Sequence, residues 1–465
     1  MHATATNAVF DAGLIARYDT HGPRYTSYPT APQFRADFGP AALRDAIDRS
    51  NRATPPRPLS LYVHVPFCMS PCFYCGCNRI ITRDLSRSDQ YLDYLDRELE
   101  LTAPLFDPAR QVRQLHFGGG TPNFLDLPRM HRLMDALARH FHFAAPGERE
   151  FGIEIDPRFA DFDYVRELGA LGFNRISIGV QDFDPAVQAA VNRVQSVAET
   201  RAVLEGARAA GFHSASVDLI YGLPLQAPAG FCRTLDEVVA LAPDRVAVYG
   251  YAHLPGMFKA QNQIRAEDLP DAATRLELLR LAIERLGAAG YLYVGMDHFA
   301  REDDELVRAQ RAGTLQRNFQ GYSTHGDCDI VGLGVSAIGR IGDTYNQSPR
   351  DLPGYYIALD HGVLPVARGL RLSRDDIIRR EAIGALMCHG ELDTQAFGER
   401  HDLAFADYFA GTLRQLAPLV DDGLLGIDTR TIQVTARGRY LLRNIAMCFD
   451  AYLADAGELR YSRAI

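Results

Sequence analysis

The chain has no tryptophan and a single lysine, Lys259, among its 465 residues. Its positive charge is therefore carried almost wholly by arginine, whose planar fork suits bidentate recognition of carboxylates. No block of positive charge stands out, and the net charge is −9. Nucleic-acid binders usually show a basic stripe, so no nucleic-acid partner is expected. No apolar run approaches the roughly eighteen residues that suggest a membrane-spanning helix, so no span is expected either. The opening residues, MHATATNAVFDAGLIARYD, lack a basic start followed by an apolar core, which argues against a secretory signal. The expectation is a cytoplasmic protein whose thiols stay reduced. Low-complexity tracts and repeats of solenoid period are absent. What remains is an ordinary globular balance, 47% hydrophobic and 23% charged, long enough for one large domain with smaller additions.

Cysteine is scarce, with eight in all, yet four of them fall within ten residues in HVPFCMSPCFYCGCNRI: Cys68, Cys72, Cys75 and Cys77. A reducing compartment and such tight spacing argue against a disulfide framework. Zinc sites usually present two separated ligand pairs that close a tetrahedron; here the candidates crowd one loop and no second pair follows. Cys72 and Cys75 have the spacing of a redox pair, but that reading leaves Cys68 and Cys77 unexplained. An iron–sulfur cluster takes four ligands as a rule. Three cysteines on one loop can hold three irons and leave the fourth open to a cofactor or substrate. The scattered Cys232, Cys328, Cys388 and Cys448 read as small buried hydrophobes.

The chain organises around an alternation that begins at Leu59. Short apolar runs read as buried strands: LSLYVHV, QVRQLHFGG, EFGIEIDP, RISIGVQ, SASVDLIYG, DRVAVYGY and YLYVGMDHF. Between most of them lie amphipathic helical patterns such as SDQYLDYLDRELELTAPLF and LPRMHRLMDALARHF. Alternation of this kind predicts a parallel α/β architecture, a full or partial barrel of six or seven units. Chemistry then gathers at the C-terminal ends of the strands. The cysteine loop follows the first strand and GGGTP the second, and Glu154, Gln181 and Asp218 end the next three. Residues 1–55 read as a proline-punctuated lead segment and 56–350 as the barrel. Residues 351–465 read as a mainly helical unit with a short hairpin, resembling a winged helix; the acidic balance argues against DNA there.

The spacing C-x3-C-x2-C, with aromatic Tyr74 before the last cysteine, resembles the radical S-adenosylmethionine (SAM) superfamily. The motifs PRYTSYPTA, HVPFC, CGCN, GGGTPNFL, EIDP, GVQDFD, VNRVQ, DLIYGLP and NFQGYSTH, in this order, together resemble the oxygen-independent coproporphyrinogen III oxidase family. The resemblance covers residues from about 20 to 450 and implies a partial (β/α)6 radical SAM barrel. Cys77 and the RYTSYPTA segment separate the chain from related haem-chaperone-like proteins. The implied reaction is oxidative decarboxylation of two propionates of coproporphyrinogen III to vinyls, giving protoporphyrinogen IX in haem biosynthesis. The implied cofactors are a [4Fe–4S] cluster with an open iron and two SAM molecules. The implied partners are the substrate and a reduced flavodoxin or ferredoxin-type donor, acting on a monomer.

The resemblance also implies roles for individual residues. Cys68, Cys72 and Cys75 ligate the cluster, and Cys77 does not. Tyr62 lies beside the bound SAM, and Tyr74 near its adenine. Gly119, Gly120 and Thr121 meet the SAM amino group and its neighbours, and Glu154 grips its ribose or amine. Gln181, Arg193, Asp218 and Ala252 line a second SAM, while Ile338 contacts an adenine through its backbone. Gln320 lies near substrate or the first SAM, and with Tyr62 and Glu154 it completes the candidate catalytic set. Arg24, Tyr25 and Tyr28 help the lead segment close over the pocket.

Two other readings compete. GLGVSA, residues 332–337, satisfies the dinucleotide fingerprint G-x-G-x-x-A, with DIVGLG as its strand. The turn-rich GRIGDTYNQSPRDLPG after it does not supply the second strand of the βαβ unit that a nicotinamide site needs. A haem-binding, chaperone-like radical SAM protein without the oxidase activity is the second alternative.

Overall fold

The computed structural model describes residues 8–453; the ends of the expected lead segment and C-terminal unit, 1–7 and 454–465, lie outside the described residues. At its centre is a twelve-stranded sheet. In chain order its strands are β1 (Leu59–Val65), β2 (Val112–Gly119), β3 (Glu150–Ile155), β4 (Arg175–Gln181), β5 (Ser214–Tyr221) and β6 (Arg245–Gly250). They continue with β7 (Tyr291–Gly295), β8 (His298–Arg301), β9 (Asp329–Leu333), β10 (Ile338–Ile341), β11 (Thr344–Gln347) and β12 (Arg368–Arg371). The spatial order is β12-β11-β10-β9-β1-β2-β3-β4-β5-β6-β8-β7. Strands β9 and β1 to β6 run parallel. The strands outside them are antiparallel. The two edge strands, β12 and β7, do not pair, so the barrel stays open.

Pattern explains the elements. In β4, RISIGVQ, Ile176, Ile178 and Val180 are buried while the alternate positions are half-exposed, the period-2 signature of a strand with one covered face. The crossover helices begin at defined signals. Asp126 caps Leu127–His140 through the Arg129 N–H, and Ser196 with Glu199 forms a capping box for Val197–Ala209. Their apolar faces join the strands in one large core, from Leu61 and Leu99 to Leu286 and Tyr355.

Two sequence expectations change, and the dinucleotide reading, rejected on the sequence, is absent here too. YLYVGMDHF is a hairpin rather than one strand. Met296 and Asp297 both take left-handed backbone (φ 38° and 75°), a two-residue turn that reverses the chain. The strand in DIVGLG exists as β9, but it pairs parallel beside β1 and then turns straight back into antiparallel β10, with no helix between. The dinucleotide unit is therefore absent. The sheet also runs past the expected boundary at 350. The helix Leu352–Asp360 packs on Ser86–Thr102, and β12 pairs with β11.

Beyond Arg371 a separate apolar core begins, built from Ile378, Leu386, Phe397, Phe409, Leu441 and Ile445. It carries a three-stranded sheet of Glu391–Asp393, Thr431–Val434 and Leu425–Ile427. Tyr25 and Tyr28 of the lead segment are buried in this core. Tyr25 Oη donates to Asp450 at 2.9 Å, and Arg443 donates to the Pro23 carbonyl at 2.7 Å. The lead segment is thus strapped to the C-terminal unit, and its Arg35 bridges to Gly369 at the sheet edge. No described helix is long and apolar enough to cross a membrane.

Candidate active site

The C-terminal strand ends gather the site. Tyr62 and His64 alternate with buried Leu61, Val63 and Val65 on β1, so their side chains share the inner face. Register places His116 of β2 beside Tyr62, and the two rings stack with centroids 6.1 Å apart and planes 13° from parallel. His64 Nε2 lies 3.0 Å from the Asn78 carbonyl, which can only accept. That nitrogen therefore carries the proton. Nδ1 is left to accept from Tyr62 Oη at 3.1 Å. Burial holds the His64 ring below its usual pKa, which favours this neutral tautomer. Burial also raises the Tyr62 phenol, so it remains a donor. Glu154, at the end of β3, keeps its carboxylate 46% exposed and 3.3 Å from His116 Nε2.

These side chains line a cavity of about 330 Å³. It unites Tyr62, Gly119, Glu154, Gln320 and Ile338 of the expected set with His64, His116 and Cys77. Gly119 sits at φ +115°, and a Cβ there would lie 2.7 Å from the His64 ring. Glycine is required by both backbone and space. Gln320 projects from the two-residue turn between Gln316–Asn318 and Gly321–Ser323. Its buried Nε2 has no partner among the described residues, as a group awaiting a ligand would.

The cysteine loop lies beside this cavity. Arg79 ties it together, donating to the Cys72 and Cys75 carbonyls at 3.1 Å each. The GGGTP turn is fixed to the chain after β1: Gly120 N–H donates to Val65 O at 2.8 Å and Thr121 N–H to Phe67 O at 2.9 Å. Thr121 Oγ1 is 3.4 Å from Cys68 Sγ. Cys75 Sγ accepts from the Cys77 N–H at 3.4 Å, and the Cys77 thiol, followed by Arg79, helps lower its pKa to about 6. Burial pushes Cys68 up to about 11. Three thiols from one loop, those of Cys68 and Cys72 buried and that of Cys75 half-buried, fit the donor set of an iron–sulfur cluster that leaves one iron open.

The second expected group is elsewhere. Arg193 is buried, with Nη1 3.0 Å from Asp156 and 3.5 Å from Cys72 Sγ and Nη2 donating to Gly179 O at 2.5 Å. Arg158 joins it, 2.7 Å from Asp156 and 3.7 Å from the same sulfur. Burial alone would raise the Asp156 carboxyl, but Arg193 and Arg158 hold it below the usual range. Asp218 accepts from Ser177 Oγ at 2.9 Å, and burial lifts it to about 7. Gln181 is re-aimed at a register shift with φ 68°. Ala252 lines a different cavity, about 480 Å³, with Arg24, Asp297 and Arg443. Tyr74 packs against an apolar cluster with Val187, Val191 and Leu223 rather than lining the 330 Å³ cavity. Arg24, Tyr25 and Tyr28 do not line that cavity either.

Sequence reasoning missed His64, His116, Asp156 and Arg158. His116 could have been found from strand alternation, which puts it on the inner face beside Tyr62. Asp156 has one local partner, Arg158 two residues on, but its other partner, Arg193, comes from beyond the next strand and no local pattern shows it.

An open parallel sheet with a three-thiol loop at its C-terminal edge defines a radical SAM protein. Residues 62–238 match the model of the radical SAM superfamily, and 372–441 that of the HemN C-terminal domain. The chain is 50% identical over 456 residues to the oxygen-independent coproporphyrinogen III oxidase of Pseudomonas aeruginosa, covering 98% of this chain and 99% of that one. It is 50% identical over 457 residues to that of Escherichia coli K12, covering 98% of each. The solved Escherichia coli coproporphyrinogen III oxidase (HemN), described as a radical SAM enzyme, superposes with a TM-score of 0.91 at 49% identity, over 96% of this chain and 100% of that one. The chain belongs to the oxygen-independent coproporphyrinogen III oxidase family.

Proposed function

We propose that this chain oxidatively decarboxylates two propionates of coproporphyrinogen III to vinyls, giving protoporphyrinogen IX without oxygen. The observation that carries the reading is the 330 Å³ cavity, which joins Tyr62, Glu154 and Gln320 beside the three-thiol loop. Family membership over nearly the whole chain supports the substrate. Cys68, Cys72 and Cys75 hold a [4Fe–4S] cluster. When bound, the cluster and SAM supply the hydrogen-abstracting 5′-deoxyadenosyl radical. Tyr62, Gly119, Gly120, Thr121, Glu154 and Ile338 bind the first SAM.

The protein's own work is positioning. His64 fixes Tyr62, His116 orients Glu154, and Gln320 offers an amide donor to whatever enters. Arg193 and Arg158 place two positive charges at Cys72 and so tune the group it holds. Gln181, Arg193, Asp218 and Ala252 belong to a second SAM site, and Tyr74 to the adenine wall. The division proposed is a lead strap, a sheet body running to Arg371, and a C-terminal unit. An external flavodoxin or ferredoxin-type donor fits the exposure of Gly76 and Cys77 on the cysteine loop. A reducing cytoplasm fits eight unpaired thiols, and the chain is proposed to act there as a monomer.

The test is anaerobic incubation of reconstituted protein with SAM, a reductant and coproporphyrinogen III. Protoporphyrinogen from the wild type, and a large loss in Glu154→Ala, support the reading. Haem binding without product from protein with a verified cluster overturns it.

A further inference from the structure

Between the sheet body and the C-terminal unit lies a second cavity, of about 530 Å³. Arg57, Arg317, Arg340 and Arg380 all line it. Their buried polar edges are poorly matched: Arg317 Nε and Nη1, Arg340 Nε and Arg380 Nη1 have no hydrogen-bond partner among the described residues. Native proteins seldom leave such groups unpaired without a ligand to meet them. The arginines also face one another. Burial first, then Arg380 and Arg57, depress the Arg340 guanidinium.

The acids in the wall do not neutralise this charge. Glu381 is taken by Arg400 and by His401 at 2.9 Å. Asp393 caps the next helix through the Ala396 N–H at 2.8 Å. Glu391 is the remaining carboxylate of the lining. Two of the arginine positions are fixed. Arg317 stacks 4.8 Å over the Tyr322 ring, and Arg340 donates to the Gly326 and Cys328 carbonyls at 3.1 and 2.9 Å. Phe319 lines this cavity and the 330 Å³ cavity alike, so the two are neighbours across one ring.

We propose that this arginine-lined cavity is the anchor for carboxylates of the tetrapyrrole that are not reacting, while one propionate reaches past Phe319 to the site of Tyr62 and Gln320. The proposal rests on the function given above and adds its substrate-recognition surface. Arginine forks match carboxylates bidentately, and desolvation strengthens each pair. The same grip serves substrate, half-reacted intermediate and product, since some propionates persist through all three.

The test uses reconstituted holoenzyme and two probes: coproporphyrin III, the inert fluorescent oxidised form, and its tetramethyl ester, which has no carboxylates. Losing a charge-assisted hydrogen bond predicts that Arg317→Met and Arg380→Met each weaken coproporphyrin binding roughly ten- to a hundredfold. KM for coproporphyrinogen should rise more than kcat falls, and Arg317→Lys should recover part of the affinity. Wild-type affinity in both Met variants overturns the proposal. So does equal wild-type affinity for acid and ester, a result that needs no variant to fold. Wild type that binds the acid through these arginines but makes no vinyl product would keep the anchor and remove the oxidase reading.

Discussion

Glu98 offers a quantitative check on the packing that shapes the site. It lies on the first crossover helix, Ser86–Thr102, and is only 2% exposed. Its Oε2 accepts from Tyr355 Oη at 2.6 Å and from the Gly334 N–H at 2.7 Å. The second bond pins the turn between β9 and β10, which carries Ser336 and Ile338 into the cavity wall. Burial outweighs both bonds and lifts the carboxyl from 4.5 to about 7. The folded state therefore holds a proton that the unfolded chain releases. The associated stability is fully present below pH 4.5 and is lost as pH rises through about 7, a change of about 3 kcal/mol. Glu98→Gln stays neutral throughout and keeps an acceptor oxygen. Denaturant unfolding of both proteins from about pH 5 to about pH 8 should show the variant gaining on the wild type by about 2–3 kcal/mol. A constant difference across that range would refute the reasoning.

Cys68→Ser, Cys72→Ser and Cys75→Ser should each lose the cluster, whereas Cys77→Ser should retain it, read by iron and sulfide content after anaerobic reconstitution. Tyr62→Phe removes the hydroxyl that fixes His64 while keeping the stack on His116; SAM affinity by equilibrium dialysis should fall roughly two- to tenfold. Arg110 and Asp329 form an ion pair at 2.6 Å with both side chains fully buried, and Gly342 N–H donates to the same carboxylate at 2.9 Å. Asp329→Asn strands the guanidinium, so unfolding should be easier by about 3–5 kcal/mol, visible in calorimetry.

Much of this was legible because it is local. C-x3-C-x2-C places three thiols on one loop whatever surrounds it. RISIGVQ shows its covered face residue by residue. The strand-end residues Gly119 and Glu154 come together because parallel strands deliver their C-terminal ends to one edge. The rest depends on contacts between distant segments. Nothing in DIVGLG says that it pairs beside β1, more than 250 residues earlier in the chain. The helix Leu352–Asp360 looks like the start of a helical domain until its packing on Ser86–Thr102 is seen. Asp156 acquires its meaning only when Arg193 arrives from the far side of β4. Tyr25 and Tyr28, expected to close over the pocket, line the 530 Å³ cavity and are held by a C-terminal core that no local pattern links to them.

The central claim is that one three-cysteine loop and one cavity carry out two successive decarboxylations. The most direct measurement is the ratio of 5′-deoxyadenosine to protoporphyrinogen IX formed by reconstituted protein under anaerobic reduction. The account predicts about two per product, with both products lost in Cys72→Ser. Deoxyadenosine formed with no loss of carbon dioxide from coproporphyrinogen III, by protein with an intact cluster, would contradict it.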